Sequence, residues 1–230
     1  MINRVEFKVS GRFALFTDPL TKIGGEKCSY HIPTYEALKG IAKSVYWKPT
    51  FIWVIDKVRV MRRIRTQSKS TKPLDFSGGN SLAIYTYLAD VEYQVQAHFE
   101  WNTFREDLAD DRNDVKHCSV AERMVEKGGR QDIFLGTREC QGYVEPCTFG
   151  DGKGDYDGNG ELAYGLMFHG FDYPDETGKN ELHTRFWRPV MKDGIITFQR
   201  SEECTVRKFV REMIPKAPNS VGLKEEGLEI

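Results

Sequence analysis

Eleven consecutive residues near the middle of the chain alternate between apolar and polar side chains, and this pattern restricts the fold more than any other feature. The apolar positions are Val91, Tyr93, Val95, Ala97, Phe99 and Trp101. A period of two is the geometry of a β-strand, in which successive side chains point to opposite faces of a sheet. Val5, Phe7 and Val9 repeat the pattern at the N-terminus. Both segments therefore predict strands with one buried and one polar face.

A first helix is predicted between these two strands. Pro33 suits a first helical position, and the apolar residues of 35–45 recur at helical spacing. Lys48-Pro49 then ends the helix, which places Tyr46 at its C-terminus. The segment 11–30 that precedes the helix is predicted to be a long loop.

A second helix is predicted after the long alternating strand. Ser119 and Glu122 have the spacing of a capping box, in which the two side chains bond free backbone amides at a helix start. Gly128-Gly129 ends this helix, because glycine readily adopts the left-handed conformation that follows a helix C-terminus. Lys116 and His117 then lie in a loop just ahead of the helix.

Further strands are predicted over residues 50–60, 81–89, 130–136 and 138–149. With the two helices they give the order β, α, β, β, α, β, which is that of a ferredoxin-like (RRM-like) domain. That layout leaves one face of an antiparallel sheet free to bind a ligand.

The glycine-rich segment 150–160, GDGKGDYDGNG, separates this first domain from the rest of the chain. Turn signals at 175–180 and 192–194 lie between alternating runs and predict an antiparallel meander. The predicted fold class is therefore α+β. It comprises a ferredoxin-like domain over 1–149, a small antiparallel β-sheet domain over 150–210 and a flexible tail over 211–230.

The composition is typical of a folded cytoplasmic protein. Hydrophobic residues make up 40% and charged residues 29% of the chain, which is too apolar for wholesale disorder. No apolar run approaches the ~18 residues of a membrane span. The five cysteines are odd in number and scattered without a CxxC pair, which predicts reduced thiols rather than a disulfide framework or a zinc site.

A one-signed basic run contrasts with the net charge of −1. Residues 57–72 carry seven Lys or Arg side chains and no acid. Such runs are often only solvated faces, but arginine forks suit phosphate oxygens, so RNA binding is the interpretation adopted here. The candidate RNA ligands are Lys57, Arg59, Arg62, Arg63, Arg65, Lys69 and Lys72.

The pair Lys116-His117 is the main candidate for catalysis. A Lys-His pair in a loop has no function in most proteins, but this one stands where a helix start presents unpaired amides and a positive dipole. That environment favours an anion and disfavours protonation of His117, which leaves a neutral imidazole available as a base. A phosphodiester that gains charge in its transition state is the matching ligand.

No cofactor or metal is predicted. Asp155-x-Asp157-x-Asn159-Gly160 imitates the start of a calcium loop, but Leu166 stands where a bidentate Glu is needed. A flexible glycine loop is the better interpretation. The histidines show no HExxH or other paired ligand spacing.

Four stretches of the chain resemble one known family. They are FTDPLTKIGGEK (16–27), PTYEALKGIAKSVYWKPT (33–50), DVKHCS (114–119) and GGRQDIFLGTRECQGYV (128–144). The chain resembles the CRISPR-associated Cas-five family in its subtype I-C (Dvulg) branch, whose members cut precursor CRISPR RNA. The resemblance extends to about residue 200.

The resemblance implies an endoribonuclease that cleaves CRISPR repeat hairpins and keeps the 5′ handle of the product in a type I-C surveillance complex. The family's tyrosine, lysine and histidine fall on Tyr46, Lys116 and His117. Metal-free RNA cleavage proceeds by attack of the 2′-OH and yields a 2′,3′-cyclic phosphate and a 5′-OH. His117 is expected to act as base or acid, Lys116 to stabilise the phosphorane, and Tyr46 to position the 2′-OH or donate a proton.

Two alternatives stay open. The chain could be a non-catalytic subunit that only binds the 5′ handle. Under any RNA-binding interpretation, Tyr85 and Tyr87 are possible contacts to unpaired bases, although such aromatic residues are more often part of a core. The chain could instead be a metal-dependent DNA nuclease, for which the acids of 107–114 are a possible source of ligands, although a solvated acidic loop is the simpler interpretation. These acids are Asp107, Asp110, Asp111 and Asp114.

Overall fold

Strand pairing divides the chain into a large and a small antiparallel sheet. The structure, a computed structural model, describes residues 3–19, 21, 25–74, 77–79 and 81–214. The strands of the first part are β1 (Arg4–Ala14), β2 (Phe51–Val60), β3 (Thr66–Thr71), β4 (Ala83–Trp101), β5 (Ile133–Phe134) and β6 (Gln141–Pro146). Those of the second part are β7 (Glu161–Ala163), β8 (Met167–Asp172), β9 (Glu181–Trp187), β10 (Val190–Lys192), β11 (Ile195–Thr197) and β12 (Val206–Glu212). The helices are α1 (Tyr35–Val45), α2 (Asp114–Glu126) and α3 (Pro174–Thr177), with short 3₁₀ turns at Glu106–Asp111 and Ser201–Glu203.

The large sheet is built around β1 and β4. Its strands follow the order β5-β6-β1-β4-β2-β11-β10-β7, and β3 pairs with one end of β4. Helix α1 packs on β2, helix α2 packs on β1 and β6, and the two helices contact each other, so they lie on one face. The fold is therefore mixed α and β with antiparallel sheets, and the core lies between the helices and this sheet.

Helix α1 confirms the predicted helix, with one change at its start. Thr34 is the N-cap, and its side-chain oxygen accepts a hydrogen bond from the Ala37 amide at 3.2 Å. Pro33 therefore precedes the cap. Tyr46 is the C-cap residue, as the Lys48-Pro49 stop signal indicated.

The prediction of two strands around Asp90 is wrong, because β4 is one strand of 19 residues. Asp90 has a positive φ of 50°, yet β1 stays paired on both sides of it, with Gly11 opposite Val91 and Phe13 opposite Ala89. The ladder thus absorbs the irregularity. Because β1 continues to Ala14, residues 11–14 belong to a strand and not to the predicted loop.

The polar face of β4 is covered, contrary to the expectation of a free sheet face. Gln94 and His98 are each only 4% exposed. The Gln94 amide donates to the Asp151 carbonyl at 2.7 Å and its oxygen accepts from the Gly150 amide at 2.9 Å. His98 Nδ1 lies 2.9 Å from the Asp56 carboxylate. The glycine-rich segment therefore closes over the face that the alternation left polar.

The segment after residue 160 does not form one separate meander. Strands β7, β10 and β11 extend the large sheet, with Ile196 opposite Val58 of β2. Strands β8, β9 and β12 form the small sheet in the order β12-β9-β8. β12 runs two residues into the segment predicted as a tail, and residues 215–230 lie outside the described residues.

Among the residues that the structure describes, no helix combines the length and apolar character needed to cross a bilayer.

Candidate active site

Helix α2 begins earlier than predicted, and this changes the setting of the Lys-His pair. Asn113 is the N-cap, and its side-chain oxygen accepts a hydrogen bond from the Lys116 amide at 3.0 Å. Ser119 is an exposed residue inside the helix, so the predicted start at Ser119 is wrong. Asparagine caps as well as serine does, and the earlier start aligns the apolar face of the helix with the core. Lys116 and His117 therefore lie in its first turn.

His117 is completely buried, with 0% exposure. Aromatic rings surround it at centroid distances of 5.9 Å (Tyr46), 5.4 Å (Phe51), 6.2 Å (Phe99) and 5.7 Å (Trp101). Its Nε2 lies 2.8 Å from the main-chain oxygen of Asp111. A carbonyl oxygen can only accept, so Nε2 carries a hydrogen, and in the neutral ring Nδ1 is left as the acceptor.

Tyr46 is the hydrogen-bond partner of His117 Nδ1. Its hydroxyl oxygen lies 2.8 Å from His117 Nδ1. Burial raises the pKa of Tyr46, and the nearby Asp111 carboxylate raises it further against the opposing charge of Arg130. The phenol is therefore protonated at neutral pH and donates to His117. The Trp53 indole fixes this end of α1 by donating to the Tyr46 carbonyl at 2.7 Å.

Lys116 is connected to the same site through Asp111. Its side chain is 55% exposed and its ammonium group donates to the Asp111 carboxylate. The other carboxylate oxygen accepts from the Thr50 hydroxyl at 2.9 Å and lies 3.4 Å from His117 Nε2. The hydrogen bond from Lys116, followed by that from Thr50, holds the pKa of Asp111 below its usual range. The structure thus brings all three predicted residues together, two of them in direct contact.

An open groove lies beside the end of α1. It has a volume of about 640 Å³ and is lined by residues 127–133 and 141–144. The Arg130 amide donates to the carbonyls of Ser44 and Val45 at 3.2 and 3.1 Å, so the exposed Arg130 is anchored next to Tyr46. A polyanion that reached Tyr46 would find a cation there.

The basic run does not form one phosphate-binding face. Arg59 is only 5% exposed, and its guanidinium is enclosed by the carbonyls of 150–152 at 2.8 to 3.2 Å and by the Asp157 carboxylate at 2.9 Å. Arg59 is therefore not free to bind RNA, which corrects its assignment as a ligand. The same contacts show that the glycine-rich segment is fastened to β2 and is not a loose loop.

Of the other basic residues, two form ion pairs, one contacts aromatic rings and three are at least partly exposed. Arg62 pairs with Glu92 at 3.0 Å and Arg65 with Asp90 at 2.7 Å, all near the surface. The Lys69 ammonium lies 3.3 Å from the centroid of the Phe13 ring and 5.4 Å from that of Tyr87. Arg63 and Lys72 are exposed, and Lys57 is partly exposed.

The acids near the site do not form a metal centre. Within the described ranges, no group of three or more His, Cys, Asp or Glu side chains is arranged to hold a metal ion. Asp107 pairs with Arg105 at 2.8 Å, Asp111 holds Lys116, and Asp110 and Asp114 are exposed. All five cysteines are free thiols.

Sequence reasoning missed Thr50 and the aromatic walls of the site, and it treated Asp111 only as part of an acidic loop. Thr50 and Phe51 follow Pro49 at the start of β2, where they read as ordinary strand residues. Asn113, six residues ahead of Ser119, was the available sign that α2 starts early and that Asp111 lies two residues before its cap.

Comparison with known proteins gives consistent results. The model of the Cas5d family, described as CRISPR-associated protein, matches residues 5–199. A Mannheimia succiniciproducens protein named CRISPR pre-crRNA endoribonuclease Cas5d is 30% identical over 85% of this chain and 95% of its own length. A Thermus thermophilus protein of the same name is 29% identical over 81% and 80%. A solved Streptococcus mutans structure, titled as functionally uncharacterized, is 39% identical with a TM-score of 0.75 and covers 89% of this chain and 96% of its own.

Proposed function

The chain belongs to the Cas5d family of CRISPR-associated proteins, and on that premise we propose that it is the endoribonuclease that cleaves repeat hairpins in precursor CRISPR RNA. The observation that carries the proposal is the contact of 2.8 Å between the Tyr46 hydroxyl and His117 Nδ1, with Lys116 tethered alongside through Asp111. Together these residues place a proton acceptor, a proton donor and a cation around the first turn of α2, with Tyr46 reaching it from the end of α1.

The N-terminal part is the RNA-processing unit in this proposal. The strand order β6-β1-β4-β2, antiparallel throughout with α1 and α2 on one face, supports a ferredoxin-like (RRM-like) arrangement of residues 1–149. Residues 150–210 act as an added β-structure, part of which extends the large sheet. RNA reaches the helix side of the molecule, where Tyr46 and Lys116 lie, because loop 150–160 covers the opposite face at Gln94.

The cleavage step uses the RNA's own 2′-OH as nucleophile. Its oxygen attacks the adjacent phosphorus, the bond to the 5′ oxygen breaks, and the products are a 2′,3′-cyclic phosphate and a 5′-OH after the leaving oxygen takes a proton from water. His117 is the base, but it is fully buried, whereas Tyr46 is 4% exposed. Nδ1 is bonded to the Tyr46 hydroxyl, so the 2′-OH delivers its proton to the Tyr46 oxygen while the Tyr46 proton moves to Nδ1.

Lys116 stabilises the charge that develops on the phosphorane. Its ammonium is exposed at the positive end of α2, and both features favour a phosphate that becomes more negative in the transition state. Arg62, Arg63, Arg65, Lys69, Lys72 and Lys57 remain candidate contacts to the flanking RNA backbone. Tyr85 is partly exposed and Tyr87 is 6% exposed, which makes Tyr85 the better candidate for a base contact.

After cleavage the protein keeps the 5′ handle and joins a type I-C surveillance complex, in keeping with the expectation from the family. A chain that only binds the handle needs no proton relay. That alternative predicts unchanged RNA processing when Tyr46, Lys116 and His117 are all replaced by alanine.

The test is incubation of the purified protein with a repeat hairpin in excess chelator, with end-group analysis of the products. Cleavage that yields a 2′,3′-cyclic phosphate is expected to persist, and a single 2′-deoxy substitution at the cut site is expected to abolish it. His117→Ala should stop cleavage and keep hairpin binding, whereas the part-exposed His183→Ala serves as the control. Metal dependence, or full cleavage of the deoxy substrate, would contradict the scheme.

A further inference from the structure

Asp111 contacts every part of the site except Tyr46. Its carboxylate accepts from Lys116 and from Thr50, and its main-chain oxygen accepts from His117 Nε2 at 2.8 Å. The residue lies at the end of a 3₁₀ turn, two residues before the cap of α2. One residue therefore meets the proposed base through its backbone and the proposed cation through its side chain.

The backbone contact selects the tautomer of His117. Because the Asp111 carbonyl must accept, the hydrogen stays on Nε2 and the lone pair of Nδ1 faces Tyr46. The carbonyl lies at the end of the 3₁₀ turn, and beside the backbone bond from the Arg112 amide to the Ala109 carbonyl, the Asp111 side chain fastens that end of the turn. The Thr50 hydroxyl, at 2.9 Å and anchored at the buried start of β2, provides that fastening.

The side-chain contact orients Lys116. An exposed lysine samples many rotamers, and an ion pair at one fixed position restricts them. An ammonium group has three N–H donors. Lys116 can therefore keep Asp111 on one donor and offer the other two to phosphate oxygens, so the pair does not exclude the substrate.

We propose that Asp111 is a positioning residue for RNA cleavage, which fixes the Nε2–H tautomer of His117 and aims Lys116, with Thr50 as its anchor. The inference rests on the proposed function. Asp111 does not touch the reacting atoms and acts only through His117, which takes the proton relayed by Tyr46, and through Lys116, which faces the phosphate.

The test measures single-turnover cleavage and hairpin affinity separately. Asp111→Ala is expected to lower the cleavage rate constant on the order of 100-fold, as a misplacement of about 1 Å does, with the hairpin Kd changed less than threefold. Thr50→Val should lower the rate in the same direction, since it removes the anchor and leaves all charges in place. Thr50→Ser restores the hydroxyl and should recover the rate, which a loss of packing at Thr50 would not allow.

Asp107→Ala is the matched control, because Asp107 lies in the same 3₁₀ turn and, among the described residues, its ion pair is with the neighbouring Arg105. If Asp111→Ala cleaves at the same rate as Asp107→Ala while His117→Ala is inactive, this inference is overturned and the proposed function stands. Full activity of His117→Ala would overturn the proposed function, and this inference with it. If Asp111→Ala does not fold, Asp111→Asn and the Thr50 pair carry the same test, and full activity in Thr50→Val and Asp111→Asn refutes the positioning role.

Discussion

Replacement of Tyr46 by phenylalanine removes a single oxygen from the centre of the site. That oxygen donates to His117 Nδ1 at 2.8 Å, while the ring packs against Phe51 at a centroid distance of 5.6 Å. Phenylalanine keeps the ring contacts. The substitution therefore tests the hydrogen bond and the proton relay, with little change in packing.

Two effects of known size are expected together. His117 is fully buried, so its acceptor nitrogen loses its donor in a place that bulk water does not reach, and an unsatisfied buried polar group costs about 1–3 kcal/mol. For a chain of this size, about 1 kcal/mol shifts Tm by about 2–4 °C, so Tm should fall by about 2–12 °C. Removal of a general acid-base group slows cleavage by roughly 10²–10⁴-fold.

The assay is single-turnover cleavage of a repeat hairpin together with thermal unfolding of the free protein. Tyr164→Phe is the matched control, because the contact of the Tyr164 hydroxyl within the described part of the chain is a weak one, with the Met191 sulfur at 3.9 Å. Hairpin affinity should stay within about threefold of the unsubstituted protein for both variants, since neither removes a charge.

Two results would refute this reasoning. Cleavage at the unsubstituted rate by Tyr46→Phe would show that no proton passes through the hydroxyl. An unchanged Tm with lost activity would show that the hydroxyl faces the substrate rather than His117 in solution, and so would contradict the buried hydrogen bond.

Three further predictions concern stability and charge. Lys116→Met should slow cleavage roughly 10²–10³-fold with an unchanged Tm, because the ammonium is exposed and stabilises charge in the transition state. A clear fall in Tm that accompanies the slower cleavage would contradict this role. Arg59→Ala should lower the free energy of unfolding in urea by about 1.5–3 kcal/mol and leave hairpin affinity unchanged, because it removes the hydrogen bonds of a buried guanidinium to loop 150–160. Arg63→Ala should instead weaken hairpin binding and lower the salt slope by about 1, and the reverse pattern would refute the correction for Arg59. Burial lowers the pKa of His169 to about 4 in the folded protein, against about 6.5 in the unfolded chain. As the pH falls, His169 is therefore protonated in the unfolded chain first, and the free energy of unfolding should fall by roughly 3 kcal/mol between pH 6.5 and pH 4. His169→Gln should flatten that dependence in urea titrations and His183→Gln should not, and an equal slope in both would contradict it.

The alternation of polar and apolar residues predicted the first part of β1 and the second half of β4 correctly, and helical spacing predicted α1. These are local signals, since one period over about ten residues defines which face is buried. Signals for boundaries were weaker. Two acceptable caps, Asn113 and Ser119, lie six residues apart, and local sequence does not say which of them the core will favour.

The basic run shows a different limit. Arg59 and Arg63 look equivalent in sequence, yet one is enclosed by a loop about 90 residues later in the chain and the other is exposed. No local pattern could separate them, because the partner of Arg59 is set by where loop 150–160 crosses β2. The expectation that the polar face of β4 is free was wrong for the same reason, because loop 150–160 bonds to Gln94.

For the proposed active site, the amino-acid sequence by itself predicted helix α1 with Tyr46 at its end and a helix close to the Lys116-His117 pair, but it placed that pair in a loop instead of the first turn of α2. The family resemblance indicated which three residues to consider. Tertiary structure alone decided that Tyr46 and His117 are in contact, that the imidazole is buried with its hydrogen on Nε2, and that Asp111 connects it to Lys116. The physical reason is separation along the chain. The two halves of the site are 71 residues apart, so only the packing of α1 and α2 on one sheet face can bring a hydroxyl within 2.8 Å of a ring nitrogen.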